Sequence, residues 1–129
     1  MSEFDYRVWD HTDGKMKKVV AIDNSEVFGV LAEGETAYIG FEDATLMQYT
    51  GIKDCKGKKI YEGDVFDVVD EIDNGLYTET SHENCVVFFS EEWAGFCYGT
   101  KDHEVYDRLI ELEDLAVIGN IYEDLKLMK

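Results

Sequence analysis

The chain predicts a mainly β fold: antiparallel strands forming a small SH3-like barrel plus an N-terminal β meander, with little helix. Three observations lead there. Gly, Asn and Asp turn signals recur every few residues, short β-branched and aromatic runs fill the intervals, and no convincing long helix is present. A small barrel is the natural closure, because it removes edges that would otherwise pair with other chains. The 129 residues fit one domain over 1–129, with lobes at 1–50 (the meander) and 60–129 (the barrel).

The elements follow in order. Phe4, Tyr6 and Val8 alternate with Asp5, Arg7 and Trp9, the period of a half-buried strand. Asp10 to Lys15 turns the chain, Lys17–Ile22 is a second strand, Glu26–Ala32 a third, and Thr36–Phe41 a fourth after the Glu33-Gly34-Glu35 turn. Thr45 leads into the central stretch, where Thr50-Gly51 ends an apolar run. Asp54 to Gly57 is a second turn, in which Asp bonds its own backbone and Gly supplies a positive φ. Glu62-Gly63-Asp64 launches Val65–Val69 as a strand, with Asp64 capping backbone donors of the preceding turn. Residues 70–75 are acidic and turn-rich, and the stretch extends to His82 as a long hairpin loop in which Leu76-Tyr77-Thr78 could continue a strand.

Asn84–Phe89 is apolar on both faces, which places it centrally in a sheet. Gly95–Gly99 returns antiparallel, and Lys101–Glu104 is a loop. Val105–Leu115 fits both a helical and a strand period; a strand ending near Leu112 is expected. Val117–Tyr122 is the last strand, with Gly119 marking a bulge or a close backbone approach. Glu123–Lys129 is a tail with room for one helical turn.

Composition narrows the function classes. The hydrophobic fraction of 45% is enough for a packed core, and without Pro the tight turns fall to Gly, Asn and Asp. A net charge of −17 repels polyanions, so direct binding to nucleic acid or an anionic membrane is not expected. No stretch approaches the ~20 apolar residues of a membrane helix. With an acidic start, no export signal and three cysteines, a reduced cytoplasmic setting is expected. Cys85 and Cys97 fall in apolar strands as buried thiols, and Cys55 lies exposed in the central turn.

Reactive chemistry finds no pattern. His11, His82 and His103 are scattered over turns, no nucleophile elbow occurs, and no Cys/His spacing suits zinc. Glu62, Asp64, Asp67, Asp70, Glu71 and Asp73 crowd one region but miss the offsets of a calcium loop. No catalytic residue, metal ligand or cofactor is assigned, and the chain is not expected to be an enzyme. The pointers are to binding. Lys53, Lys56, Lys58 and Lys59 make a basic island on an acidic chain, suited to an acidic face of a neighbouring copy. Trp9, Tyr49 and Tyr61 are aromatic contact candidates, since Trp and Tyr are enriched at interface centres; Trp93 and Tyr98 are further ones.

Three segments taken together carry a family resemblance: Arg7-Val8-Trp9-Asp10 with Lys15-Met16, then Met47–Asp54 through Gly57–Val65, then Val117–Glu123. Their order and wording resemble the YopX family of phage and prophage proteins over nearly the whole chain; residues 24–42 and 70–83 match no pattern of that family. The resemblance implies a small, β-rich, bacteriophage-encoded protein in a bacterial host cytoplasm, prone to self-association, with no catalytic residues to carry over.

The expectation is therefore a non-enzymatic homo-oligomer acting through protein contacts with itself or another phage or host protein, with Trp9, Tyr49, Lys53, Lys56, Lys58, Lys59 and Tyr61 as contact surface. The alternative is an acidic DNA mimic that blocks a host DNA-binding or restriction protein by imitating phosphate spacing. The interspersed lysines count against it.

Overall fold

Alternating apolar and polar residues build the strands, and turns that need a positive φ separate them. The computed structural model describes residues 5–24, 28–111 and 115–128, with the backbone alone at Asp70 and Ile72. It divides into two units, Met1–Gly51 and Ile52–Lys129.

In the first unit, strands β1 (Tyr6–Asp10), β2 (Lys15–Asp23), β3 (Gly29–Ala32) and β4 (Ile39–Gly40) pair antiparallel in succession, as the expected meander. Strand β5 (Ala44–Lys53) returns along the free side of β1, with Val8 opposite Leu46. Val8, Val19, Val30 and Ala32 form the core, flanked by Tyr6, Ile22, Ile39, Phe41, Ala44 and Leu46. Gly29 is needed where β3 meets β4, because a Cβ there would lie 2.5 Å from the Ile39 carbonyl oxygen.

The turn after β1 is held by charge. Lys17 Nζ lies 2.8 Å from Asp10, 2.7 Å from Asp13 and 3.3 Å from Glu35. Asp10 is buried and also accepts from the Thr12 hydroxyl and backbone N–H. The bond from Lys17, then that from the Thr12 hydroxyl, draws the Asp10 carboxyl down to about 2 against the cost of burial. The same carboxylates push Lys17 up.

The second unit is a five-stranded antiparallel sheet in the order β10-β9-β8-β7-β11. Its strands are β7 (Asp64–Asp73), β8 (Thr78–Ser90), β9 (Gly95–Gly99), β10 (Val105–Arg108) and β11 (Val117–Asn120). Strand β6 (Lys59–Tyr61) follows the Asp54 turn and neighbours β5. β8 is the middle strand, and Cys85, Val86, Val87 and Phe88 are all buried. The register explains the double burial. Val87 shares one face with Phe66, Leu109, Val68 and Phe96, while Val86 and Phe88 share the other with Cys97, Trp93, Ile121 and Met128.

Several expectations change. No pairing closes the second sheet into a barrel among the described residues: β10 and β11 remain its edges. β10 lasts four residues before the chain tightens into a 3-10 turn at Leu109–Glu111, which packs Leu109 onto the sheet instead of extending its edge. Strand β5 does not stop at Thr50-Gly51; Gly51, at φ +84, lies within it. The fourth strand shrinks to Ile39–Gly40. His82 lies in β8 rather than in a turn. The tail after Asn120 is a series of turns, not a helical turn. Phe4, the start of the third strand at Glu26 and the strand end near Leu112 lie outside the described residues.

Candidate contact surface

The Asp54 turn is anchored on three sides. Asp54 Oδ1 accepts the N–H groups of Lys56 and Lys58, both at 2.9 Å, and Oδ2 accepts that of Val117 at 3.0 Å. The Cys55 N–H reaches the Leu115 carbonyl at 3.1 Å, and Gly57 closes the turn at φ +81. Burial of the carboxylate opposes its charge, but the N–H bonds from Val117, Lys58 and Lys56 outweigh that and hold Asp54 low. Lys53, Lys56 and Lys58 are thus displayed outward from a rigid turn, and Lys59 is half-buried on β6. Beside the turn lies a narrow recess of about 50 Å3, lined by Ile52, Lys53, Asp54, Cys55 and Leu115 with the buried core residues Ile60, Phe66 and Leu109.

The Gly63 turn is anchored in the same way. Its N–H donates to the Val87 carbonyl at 2.8 Å, its carbonyl accepts from Ile121 at 3.0 Å, and the buried Asp64 carboxylate accepts the Tyr61 N–H at 2.8 Å. Opposite Asp64 in the register, buried Asn120 accepts the N–H groups of Tyr122 and Glu123. The capping role expected for Asp64 is observed. Asp10, Asp54, Asp64 and Asn120, all within the segments that carry the family resemblance, act here as acceptors that fix turns.

The aromatic candidates part company. Trp9 is half-buried on β1, Tyr61 is half-buried on β6, and Tyr49 is buried at 9% exposure, which takes its ring off the surface. Trp93 lies under the Arg108 guanidinium, 5.3 Å from the ring centre, and its carbonyl accepts an Arg108 N–H at 2.8 Å.

The segment expected as a hairpin loop forms the far end of β7 and β8 and the turn between them. β9 pairs β8 only over Val86–Ser90, and β11 pairs β7 only over Asp64–Phe66. The register from Val68 opposite Glu83 to Asp73 opposite Thr78 therefore continues as a two-stranded ribbon. Its described side chains from Val69 to Glu83 are all exposed. The tip is ordered: Asn74 Oδ1 accepts the N–H groups of Leu76 and Tyr77, Asp73 accepts that of Gly75, and Gly75 takes φ +89. Leu76 is left 90% exposed, and Tyr77, 57% exposed, donates its hydroxyl to Glu79. The ribbon is acidic, and His82, 3.0 Å from Asp67, is its basic side chain. A signal was available in the sequence: from Ile60 to Thr100 there are ten acidic residues and no Lys or Arg, directly after the lysine island.

A family model described as YopX protein matches residues 5–129. Among solved structures, the crystal structure of protein EF1440 from Enterococcus faecalis is similar, with 22% identity, 97% of each chain covered and a TM-score of 0.62. At that identity the likeness bears on the fold alone. No curated protein matches the chain.

Proposed function

Because the chain belongs to the YopX family, we propose that it is a phage- or prophage-encoded protein of the bacterial cytoplasm that acts without catalysis, by self-assembly and contact with other proteins. The observation that carries this reading is the β7–β8 ribbon. A two-stranded ribbon has little core of its own and is marginal in isolation; this one is long, ends in a hydrogen-bonded tip and holds Leu76 out at 90% exposure. Ordering an apolar tip in advance lowers the entropy cost of docking it into a partner. The lysine turn, fixed by Asp54, is preorganised by the same means. Light scattering over a concentration series tests the reading: mass rising with concentration supports it, and monomer throughout removes self-assembly.

Acidic mimicry of DNA is the second reading, favoured by the absence of Lys and Arg between Lys59 and Lys101. Capture of DNA-binding proteins from host lysate that disappears at raised salt would favour it; salt-tolerant capture of the chain itself would favour assembly.

A further inference from the structure

Resting on the reading that this chain works through contact with other proteins, we infer that the open edge of β8 at Ser81–Asn84 takes an extended segment of a different protein as an added antiparallel strand, one in which basic residues alternate with aliphatic ones. The edge is open because β9 leaves early. Its last pair with β8 is Gly99 opposite Val86, and the Thr100–Glu104 loop then folds back on its own hydrogen bonds. Among the described residues no strand pairs with that side of β8 before Val86. Val87 points its carbonyl to the β7 side, where it accepts the Gly63 N–H. Strand alternation therefore turns the backbone groups of His82 and Asn84 to the open side.

A surface groove flanks this edge on each face of the sheet, and both grooves touch His82 and Glu83. One, of about 600 Å3, is walled by Val68, Tyr98 and Tyr106. The other, of about 550 Å3, runs from Asn84 between the Thr100–Asp102 loop and Leu127 and Met128 of the tail. The walls are set in advance: the Tyr106 hydroxyl donates to Glu83 at 2.9 Å, and the Asn84 side chain donates to the Leu127 carbonyl at 2.7 Å. Alternate side chains of an added strand enter opposite grooves. Glu83 beside two tyrosine rings suits an ammonium group, while Leu127 and Met128 suit an aliphatic one. Charge also selects against a second copy. Two β8 edges centred on Ser81 would set Glu79 of each opposite Glu83 of the other, like charge against like charge.

The test is calorimetric titration of the full chain with a short capped peptide of alternating Lys and Val, alongside hydrogen exchange read by NMR. Binding with slowed exchange at the His82 and Asn84 amides is expected. In the antiparallel pairing the Val residues lie opposite His82 and Asn84, so their N–H groups face β8 and those of Lys face away. Methylating the Val nitrogens should therefore weaken binding at least ~10-fold, and methylating the Lys nitrogens should change it less than ~2-fold. Glu83→Gln keeps an acceptor for Tyr106 and should weaken binding roughly 2- to 5-fold. A peptide of alternating Glu and Val should not bind. Equal binding by the two methylated peptides, protection confined to other amides, equal binding of the Glu peptide, or no binding at all overturns the proposal. Light scattering reads self-assembly with no peptide present, so a failure of either leaves the other standing.

Discussion

Asp54 Oδ2 accepts the backbone N–H of Val117, 63 positions further along the chain, at 3.0 Å. One carboxylate thus joins the central turn to the last strand while its other oxygen holds the turn itself. Replacing it with Ala strips three N–H groups of their acceptor. Asp54→Ala should cost about 2–3 kcal/mol in urea unfolding. Asp54→Asn keeps one carbonyl oxygen for these donors and should cost less. Equal stability of both variants and the wild type would show that the bonds to Asp54 carry no net weight.

Acid should loosen the first unit through Asp10. Its folded value of about 2 lies below the ordinary 3.8, so the folded state binds its proton less readily than the unfolded chain. The Asp10 contribution is complete above pH 3.8 and is lost as pH falls from there toward 2. Lys17→Met removes the largest cause of that depression. The Asp10 carboxyl should then titrate higher, with acid unfolding followed by Trp fluorescence moving to higher pH. Carboxyl NMR titration reads the residue directly.

At the alkaline end the reporter is Tyr106. Its hydroxyl donates to Glu83 at 2.9 Å, and that bond, with the Glu83 charge, pushes the phenol up to about 12. The folded state therefore favours the protonated phenol. Its contribution is present below pH 10 and lost as pH rises through 10 to about 12. Ultraviolet titration should show this tyrosine ionising late, and Glu83→Ala should bring it back down.

Two glycines make close approaches of different kinds. A Cβ at Gly99 would collide with the backbone carbonyl of Glu104, where the loop from Thr100 is closed by its own hydrogen bonds. A Cβ at Gly119 would meet side-chain ends instead, Asp124 Oδ2 at 2.5 Å and Leu127 Cδ1 at 2.8 Å. Backbone yields less readily than a side-chain tip. Gly99→Ala should cost about 3 kcal/mol and Gly119→Ala about 1 kcal/mol in chemical denaturation. The reverse order would contradict the geometry.

Most of the strand inventory was legible because burial leaves a short-range record. The doubly apolar run at Cys85–Phe88 marked a central strand, and the Gly-Asp and Asp-x-x-Gly turns marked their own bends. Asp64 as a cap and Gly119 as a bulge were also readable, since each is set by the local strand geometry. Gly51 misled because glycine suits both a turn and a kink inside a strand. Tyr49 misled because a tyrosine's burial is set by what packs on it, not by its own alternation. The ribbon was read as a loop because a strand pair without core on either face has no apolar period to show.

What the residues determined alone is the class: an all-β chain with fixed turns and a segregated charge, because alternation, positive-φ glycines and Asp caps act over a few positions. What only the tertiary structure decided is which edges stay open. Barrel closure depends on whether β10 and β11 can meet, and among the described residues they remain the two edges of the sheet. How far β7 and β8 outrun their neighbours is likewise a sum over long-range pairings, and that overhang is what puts Leu76 in solvent.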